Sequence, residues 1–277
     1  MYAAKRNKSG IEIYDSKMTS EILDRRKIET QLHAAWENRE FELFYQPIVE
    51  TNGSTVRLTS AEALIRWRRD GKLVPPARFI PHLERNGAIV KVGRWVLREA
   101  CLQASQWLAK GIDIQVAVNI SAAQFHSPDF VDHVWEALES ADLPDHHLEL
   151  ELTESLLIRD FDRTANKLDV LKQTGVSISI GDFGTGYSSL SYLQHLPIDR
   201  LKIDRTFVKD LHQGDDGTLA SSIIVLGKSL GLEIVAEGIE NAEQLQFLQS
   251  KDCDYFQGYF FGTVSYTHLT LPTICSV

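Results

Sequence analysis

The chain has 277 residues and a formal net charge of −9, from 29 lysines and arginines against 38 aspartates and glutamates. The length suits one large α/β domain or two small ones, and the acidic balance argues against binding of a nucleic-acid polymer, which favours basic patches. No run is apolar and long enough to span a membrane, and the N-terminus does not read as a signal peptide.

Cys101, Cys253 and Cys275 show no CxxC spacing, so neither a zinc site nor a disulfide framework is indicated. A reducing, cytoplasmic setting is the expectation, although a longer parent protein could be membrane-anchored. The charge of −9 fits plain solubility as well as it fits a site that gathers carboxylates around cations.

Residues 1–17 read as a short helical piece, a Ser-Gly turn and the strand-like "IEIYD", too little to bury a core. From Met18 to Glu40 the chain is charged, with Ile28, Leu32 and Trp36 at i, i+4 and i+8 on one helical face. This segment is either an N-terminal helix packed on the main domain or a linker helix from a preceding domain, and the linker is the favoured reading.

From Phe41 short β-rich runs alternate with longer helical patterns. The strand candidates are "FELFYQPIV", "RLTSAEALIRW", "IQVAVNIS", "HLELELTES", "VSISIGDF", "RLKID", "EIVAEGI" and "DYFQGYFFG". Eight strands with helices between most of them suggest a (β/α)8 barrel of the TIM type. A doubly wound open sheet is the alternative, weakened because no GxGxxG opens a helix.

Strand side chains alternate between faces, and in a barrel one face points inward. Glu149 and Glu151 oppose Leu148, Leu150 and Leu152; Asn119 opposes Val118; Lys202 and Asp204 oppose Leu201 and Ile203. Glu62, Leu64 and Arg66 share a face, as do Glu233, Val235 and Glu237. Five strands thus send Glu62, Asn119, Glu151, Lys202 with Asp204, and Glu237 inward near their C-terminal ends, where such barrels carry their active sites. Burying several carboxylates without cations is costly, so the ring points to oxygen-ligated divalent metal. Mg²⁺ or Mn²⁺ fits better than zinc, because no Cys or paired His contributes. Any single acid of the ring could instead be a salt-bridged structural residue. By the same alternation position 181 faces the proposed metals, and it holds glycine, with Asp182 next in "GDFGTGYSSL".

Together these stretches resemble the EAL family of cyclic-di-GMP phosphodiesterases over roughly Glu37 to Gly262. "YQPIV", "EALIRW", "PPARFIPHLERNG", "VNISAAQF", "LELELTES", "GDFGTGYSSLSYLQHLPIDRLKID", "IVAEGIE" and "FQGYFFG" occur in the family's order and spacing. The resemblance implies hydrolysis of cyclic-di-GMP to linear pGpG at a two-metal site. It implies metal ligation by Glu62, Asn119, Glu151, Asp182 and Glu237. Lys202 would position or activate the attacking water, Glu237 would serve at the second metal or as base, and Gln257 would lie near that water. Gln46, Leu64 and Arg66 would hold the nucleotide. Glu154 would anchor the glycine-rich loop, which in the family sits at a homodimer interface. Gln46, Glu154 and Gln257 could equally be plain hydrogen-bonding core residues.

Position 181 departs from the family's pattern, which has a metal-ligating aspartate there. Three readings are open: an enzyme that tolerates the loss, a cyclic-di-GMP receptor that binds without turnover, or a structural barrel. The complete Glu62-Ala63-Leu64 motif with Lys202 and Glu237 favours the enzyme. Residues 1–17 resemble the end of a GGDEF domain, the cyclase module often fused before this one, so a GGDEF–EAL parent is expected. The barrel domain is assigned to 41–262. The tail 263–277 lacks helical period and reads as non-native, which would leave the barrel without its last helix and apolar surface exposed near the eighth strand.

Overall fold

The computed structural model describes residues 28–52, 55–157, 161–184, 193–211, 217–262 and 264. The stretch 1–17, the first part of 18–40 and nearly all of the tail lie outside the described residues.

Helix α1, over 28–37, is the described part of the charged N-terminal segment. Its Leu32 and Ala35 are buried in the main core, and Ile28 and Trp36 pack partly against it. The helix is therefore seated on the barrel along the face that the i, i+4, i+8 spacing marked.

The barrel begins with a long hairpin, β1 (Phe41–Asn52) and β2 (Thr55–Arg69), to which β3 (Lys72–Val74) adds a short antiparallel edge. Helices α2 (Ile80–Arg85) and α3 (Ala88–Ala109) lead to β4 (Gln115–Ile120), and α4 (Ala122–Phe125) and α5 (Phe130–Ala141) to β5 (Leu148–Thr153). After β5 come α6 (Glu154–Leu157), α7 (Phe161–Thr174) and β6 (Ser177–Phe183). The chain continues through β7 (Arg200–Ile203), α8 (Arg205–Val208), α9 (Thr218–Ser229), β8 (Glu233–Ala236), α10 (Ala242–Ser250) and β9 (Tyr255–Gln257).

Strands β4 to β9 pair in parallel and in sequence, and β2 pairs in parallel with β4. Strand β1 closes the ring by pairing antiparallel with both β2 and β9. Closure excludes the open doubly wound sheet. All eight strand candidates form, but the first runs against the other seven because a hairpin, not a crossover helix, joins it to β2. A two-residue period cannot reveal this, since side chains alternate identically in either direction.

The core lies between the strands and the helices. On β5, Leu148, Leu150 and Leu152 are buried against the helices while Glu149 and Glu151 are buried inside the barrel. The long helix α3 buries Ile89, Val92, Val96, Ala100, Ala104 and Trp107, an apolar stripe at three- and four-residue steps. It is bounded by Gly87 and Gly111, both in the left-handed region that favours glycine. Among the described residues no helix is long and apolar enough to cross a membrane, and Cys101 and Cys253 are buried free thiols.

One irregularity shapes the mouth. Between Ile180 and Phe183 strand β6 carries one residue more than its partner β7, a bulge at Gly181 and Asp182. Asp182 there has φ +52°. Bulges re-aim side chains beside active sites, and strict alternation would have sent Asp182 away from the mouth.

Candidate active site

The centre of the barrel's C-terminal mouth is the ammonium of Lys202, fully buried on β7. Its Nζ donates to Glu151 Oε2 of β5 at 2.6 Å, pairs with Glu237 Oε1 just beyond β8 at 2.7 Å, and lies 3.6 Å from Glu62 Oε2 of β2. Around this trio, Asn119 Nδ2 donates to Glu62 Oε1 at 2.6 Å. Gln257 Nε2 donates to Glu62 Oε2 at 2.5 Å and to Gln46 Oε1 at 3.2 Å. The structure thus brings Gln46, Glu62, Asn119, Glu151, Lys202, Glu237 and Gln257 into one connected network around the barrel mouth.

The electrostatics arise from three carboxylates sharing one ammonium. Burial alone would lower the Lys202 pKa, but Glu151, Glu237 and Glu62 outweigh it and hold the group well above the ordinary lysine range. Burial works against ionisation of Glu62, yet Lys202 and the hydrogen bonds from Gln257 and Asn119 leave its pKa lowered. Glu151 is pushed well above the usual carboxylate range by burial and by repulsion from Glu62 and Glu237, which Lys202 only partly offsets. Glu237 is raised chiefly by burial, with repulsion from Glu62 and Asp182 adding to it. Three carboxylates thus share one ammonium, and a further cation would favour ionisation of Glu151 and Glu237.

Asp182 reaches this mouth through the bulge. Its carboxyl is raised by burial and by the neighbouring Asp204, to which it is hydrogen-bonded. Asp204 also caps α8, accepting from Thr206 N at 2.8 Å. Arg66 is half-buried, its Nη1 donating to Ile65 O at 3.0 Å and its guanidinium 5.8 Å from the Phe44 ring. Glu154 is buried, and its Oε2 accepts from Gly184 N at 3.0 Å, so it holds the entrance of the glycine-rich loop. The loop itself, 185–192, lies outside the described residues.

At position 181 the inward space is filled from β5. A Cβ on Gly181 would collide with Glu151 Oε1 and lie 3.2 Å from its Cγ and Cδ. The glycine's φ is outside the left-handed region, so its backbone does not require glycine.

Above the cluster opens a cavity of about 500 Å³ lined by Gln46, Glu62, Leu64, Glu237 and Gln257. Arg205, Lys209 and the exposed ring of Tyr259 stand at its rim. These rim cations offer an anion the charge complement that the carboxylates below deny it.

Beneath the first lies a second polar layer, in which Glu149 and Glu233 face inward as strand alternation marked them and Arg200, which sequence reasoning did not single out, joins them. Arg200 of β7 donates to Gln115 Oε1 at 2.7 Å, to Glu233 Oε2 at 2.7 Å and to the buried Glu149, with its guanidinium 4.9 Å from the Tyr255 ring. Arg200 shares strand parity with Lys202, so alternation already placed it inward.

The donors at the mouth are hard oxygens alone, a set suited to Mg²⁺ or Mn²⁺. Among the described residues no three or more His, Cys, Asp or Glu side chains stand spaced to hold a metal ion; Glu62, Glu151 and Glu237 are turned on Lys202 instead.

A closed barrel in which β2 and β4 to β9 run parallel, with acids, an amide and a lysine at its C-terminal mouth, defines a TIM-type enzyme-like scaffold. The chain matches the EAL domain family model over residues 29–263, and it belongs to that family. The match takes in α1 as well as the barrel. The chain is 43% identical over 267 residues to the bifunctional diguanylate cyclase/cyclic di-GMP phosphodiesterase MucR of Pseudomonas aeruginosa, covering 95% of this chain and 38% of that one. It is 43% identical over 239 residues to the cyclic di-GMP phosphodiesterase NbdA of the same organism, covering 85% and 30%. The solved c-di-GMP complex of the PaMucR phosphodiesterase is 44% identical with a TM-score of 0.82, covering 87% of this chain and 98% of that chain. The chain spans about a third of the length of these curated relatives.

Proposed function

We propose that this domain hydrolyses cyclic-di-GMP to linear pGpG. The observation that carries the reading is the buried cluster of Glu62, Glu151 and Glu237 on Lys202, beneath a cavity at the catalytic end of the barrel. The phosphodiesterase names of its relatives support the same reading.

Glu62, Asn119, Glu151, Asp182 and Glu237 are the residues that would hold Mg²⁺ or Mn²⁺. Two such ions, when bound, supply Lewis-acid activation of water and neutralise charge developing on the phosphate. The chain's own residues prepare the rest. Lys202 fixes the directions of Glu151 and Glu237 and keeps a permanent positive charge beside the reacting phosphate. Glu237, paired with Lys202 and lining the cavity, is placed to take a proton from water. Gln257 locks Glu62 while its own Oε1 is buried without a partner among the described residues, open to a water or substrate atom. Gln46, Leu64 and Arg66 would grip the nucleotide along the cavity edge.

The same proposal takes the chain as part of a cytoplasmic GGDEF–EAL protein in which 18–40 is the linker helix and 263–277 a non-native tail. It pairs as a homodimer through the loop that Glu154 anchors. Incubation with cyclic-di-GMP across a Mn²⁺ titration, with pGpG quantified by chromatography, tests the activity. Metal-dependent pGpG is expected. Tight binding without pGpG at any metal concentration would replace the enzyme with a receptor.

A further inference from the structure

Helix α3 carries Lys91, Arg94, Trp95 and Arg98 at i, i+3, i+4 and i+7, and α5 carries His133 and Glu136 at i and i+3. Residues at those spacings share a helical face. The two faces meet Trp36 of α1 around a cavity of about 400 Å³ among the outer helices. It shares no lining residue with the cavity above the acidic cluster.

Its chemistry is unlike that of the chain as a whole. Three cations stand against one carboxylate, in a chain whose net charge is −9. Glu136 holds Arg94 at 2.6 Å in an exposed pair at the opening. Lys91 and Arg98 form no ion pair among the described residues. The Lys91 ammonium lies 4.4 Å from the centroid of the Trp36 ring. Trp36 and Trp95 meet edge to face, their centroids 6.5 Å apart and their planes at 87°. Both indoles are half-buried. His133 Nδ1 is buried and has no hydrogen-bond partner among the described residues. A face that served solubility alone would not set two indoles and a buried, unpaired imidazole nitrogen between its cations.

We propose that this cavity is a binding site for a nucleoside phosphate, separate from the barrel mouth. Its volume lies within the roughly 300–1,000 Å³ of small-molecule sites. Arginine guanidinium matches phosphate oxygens through paired hydrogen bonds, and a lysine ammonium adds a point charge. A base stacks on an indole face, as nucleobases do on aromatic side chains. The His133 Nδ1–H donates to a phosphate oxygen or a ribose hydroxyl. A bare anion would leave the indoles unused, and an uncharged aromatic molecule would leave Lys91 and Arg98 without counter-charge. Glu136 opposes the anion and confines Arg94 to the opening, so Lys91 and Arg98 carry the phosphate. Because Trp36 stands on α1 and the cations on α3, the bound ligand joins the N-terminal helix to the barrel wall.

The indole N–H resonances of Trp36 and Trp95, followed by NMR on the full chain in EDTA, test this. Trp67 and Trp107, both buried in the core, serve as references. ATP, GTP and inorganic phosphate are titrated in turn. ATP or GTP should shift Trp36 and Trp95 saturably and leave the references in place, and inorganic phosphate should bind at least about tenfold more weakly. Arg98 is exposed, so Arg98→Glu should keep the fold, with circular dichroism as the control, and should lose at least about tenfold in nucleotide affinity. The wild-type titrations stand on their own if the variant does not fold. Equal affinity for inorganic phosphate would reduce the site to an anion contact and overturn the nucleotide assignment. The absence of a saturable shift with either nucleotide, or unchanged affinity in a folded Arg98→Glu, would overturn it as well.

Discussion

The carboxylate of Glu151 lies over Gly181, in the space that a side chain at position 181 would take. It is held there by Lys202 at 2.6 Å. The side chain of Glu151 thus fills the inward space at position 181, where the family resemblance leads one to expect a carboxylate.

Restoring a carboxylate should displace Glu151 without breaking the fold, because the colliding atoms belong to the end of a flexible side chain. Gly181→Asp is expected to keep its melting temperature within about 4 °C of the parent. Added Mn²⁺ should raise that temperature more than it does for the parent, and turnover should rise by about 10–100-fold. Thermal scans with and without Mn²⁺, alongside pGpG formation, check this; an identical Mn²⁺ response in both chains would contradict it.

Lys202 is the counter-ion of the upper cluster. Lys202→Met leaves Glu62 and Glu151 buried without it, a loss of about 3–5 kcal/mol by the general cost of breaking a buried pair. Turnover should fall by about 10²–10⁴-fold. Mn²⁺ should return part of the lost stability, since the oxygens then face a cation again. Urea midpoints measured with and without the metal read both effects.

The lower layer makes a second, separable stability prediction. Glu149 is 1% exposed and depends on Arg200 for its charge partner. Arg200→Met alone should cost about 3–5 kcal/mol, and adding Glu149→Leu should recover most of it, because a matched apolar pair is often neutral relative to a buried ion pair. Denaturant unfolding of the two single variants and the double variant closes the cycle. Additive losses would contradict the pairing.

The buried thiols predict a pH effect of definite sign. Burial pushes both Cys101 and Cys253 up to about 12, against about 8.5 in an unfolded chain. Between those values the unfolded state has lost the proton that the folded state keeps, so stability must fall as pH rises from about 8.5 towards 12. In a Cys275→Ser background, Cys101→Ala/Cys253→Ala should show a shallower alkaline loss of urea midpoint. The same background should react with a thiol reagent only as fast as it unfolds.

Much of the fold and cluster was legible because a barrel obeys a two-residue period. Alternation alone turned Glu62, Asn119, Glu151 and Lys202 inward, and helical spacing marked the face of α1 that is buried. Two features carry no such signal. The direction of β1 leaves alternation unchanged. The bulge at Gly181 and Asp182 inserts a residue into a pattern that still looks regular, so Asp182 reaches the mouth against its parity. Arg200 had the right parity but lies one step below the C-terminal ends, where attention to active sites does not fall. The shared pairing of Lys202 with three carboxylates likewise needed coordinates, since parity shows which way side chains point but not which atoms meet.

The proposed hydrolytic centre is the set of carboxylates gathered on Lys202. Its most direct test is the amount of pGpG formed from cyclic-di-GMP in saturating Mn²⁺ by the native chain and by Glu62→Gln, with nucleotide binding measured in both. The native chain should form pGpG, and Glu62→Gln should lose at least about 100-fold in turnover while still binding the nucleotide. Equal turnover by the two proteins, or none by a native chain that binds, would contradict the account.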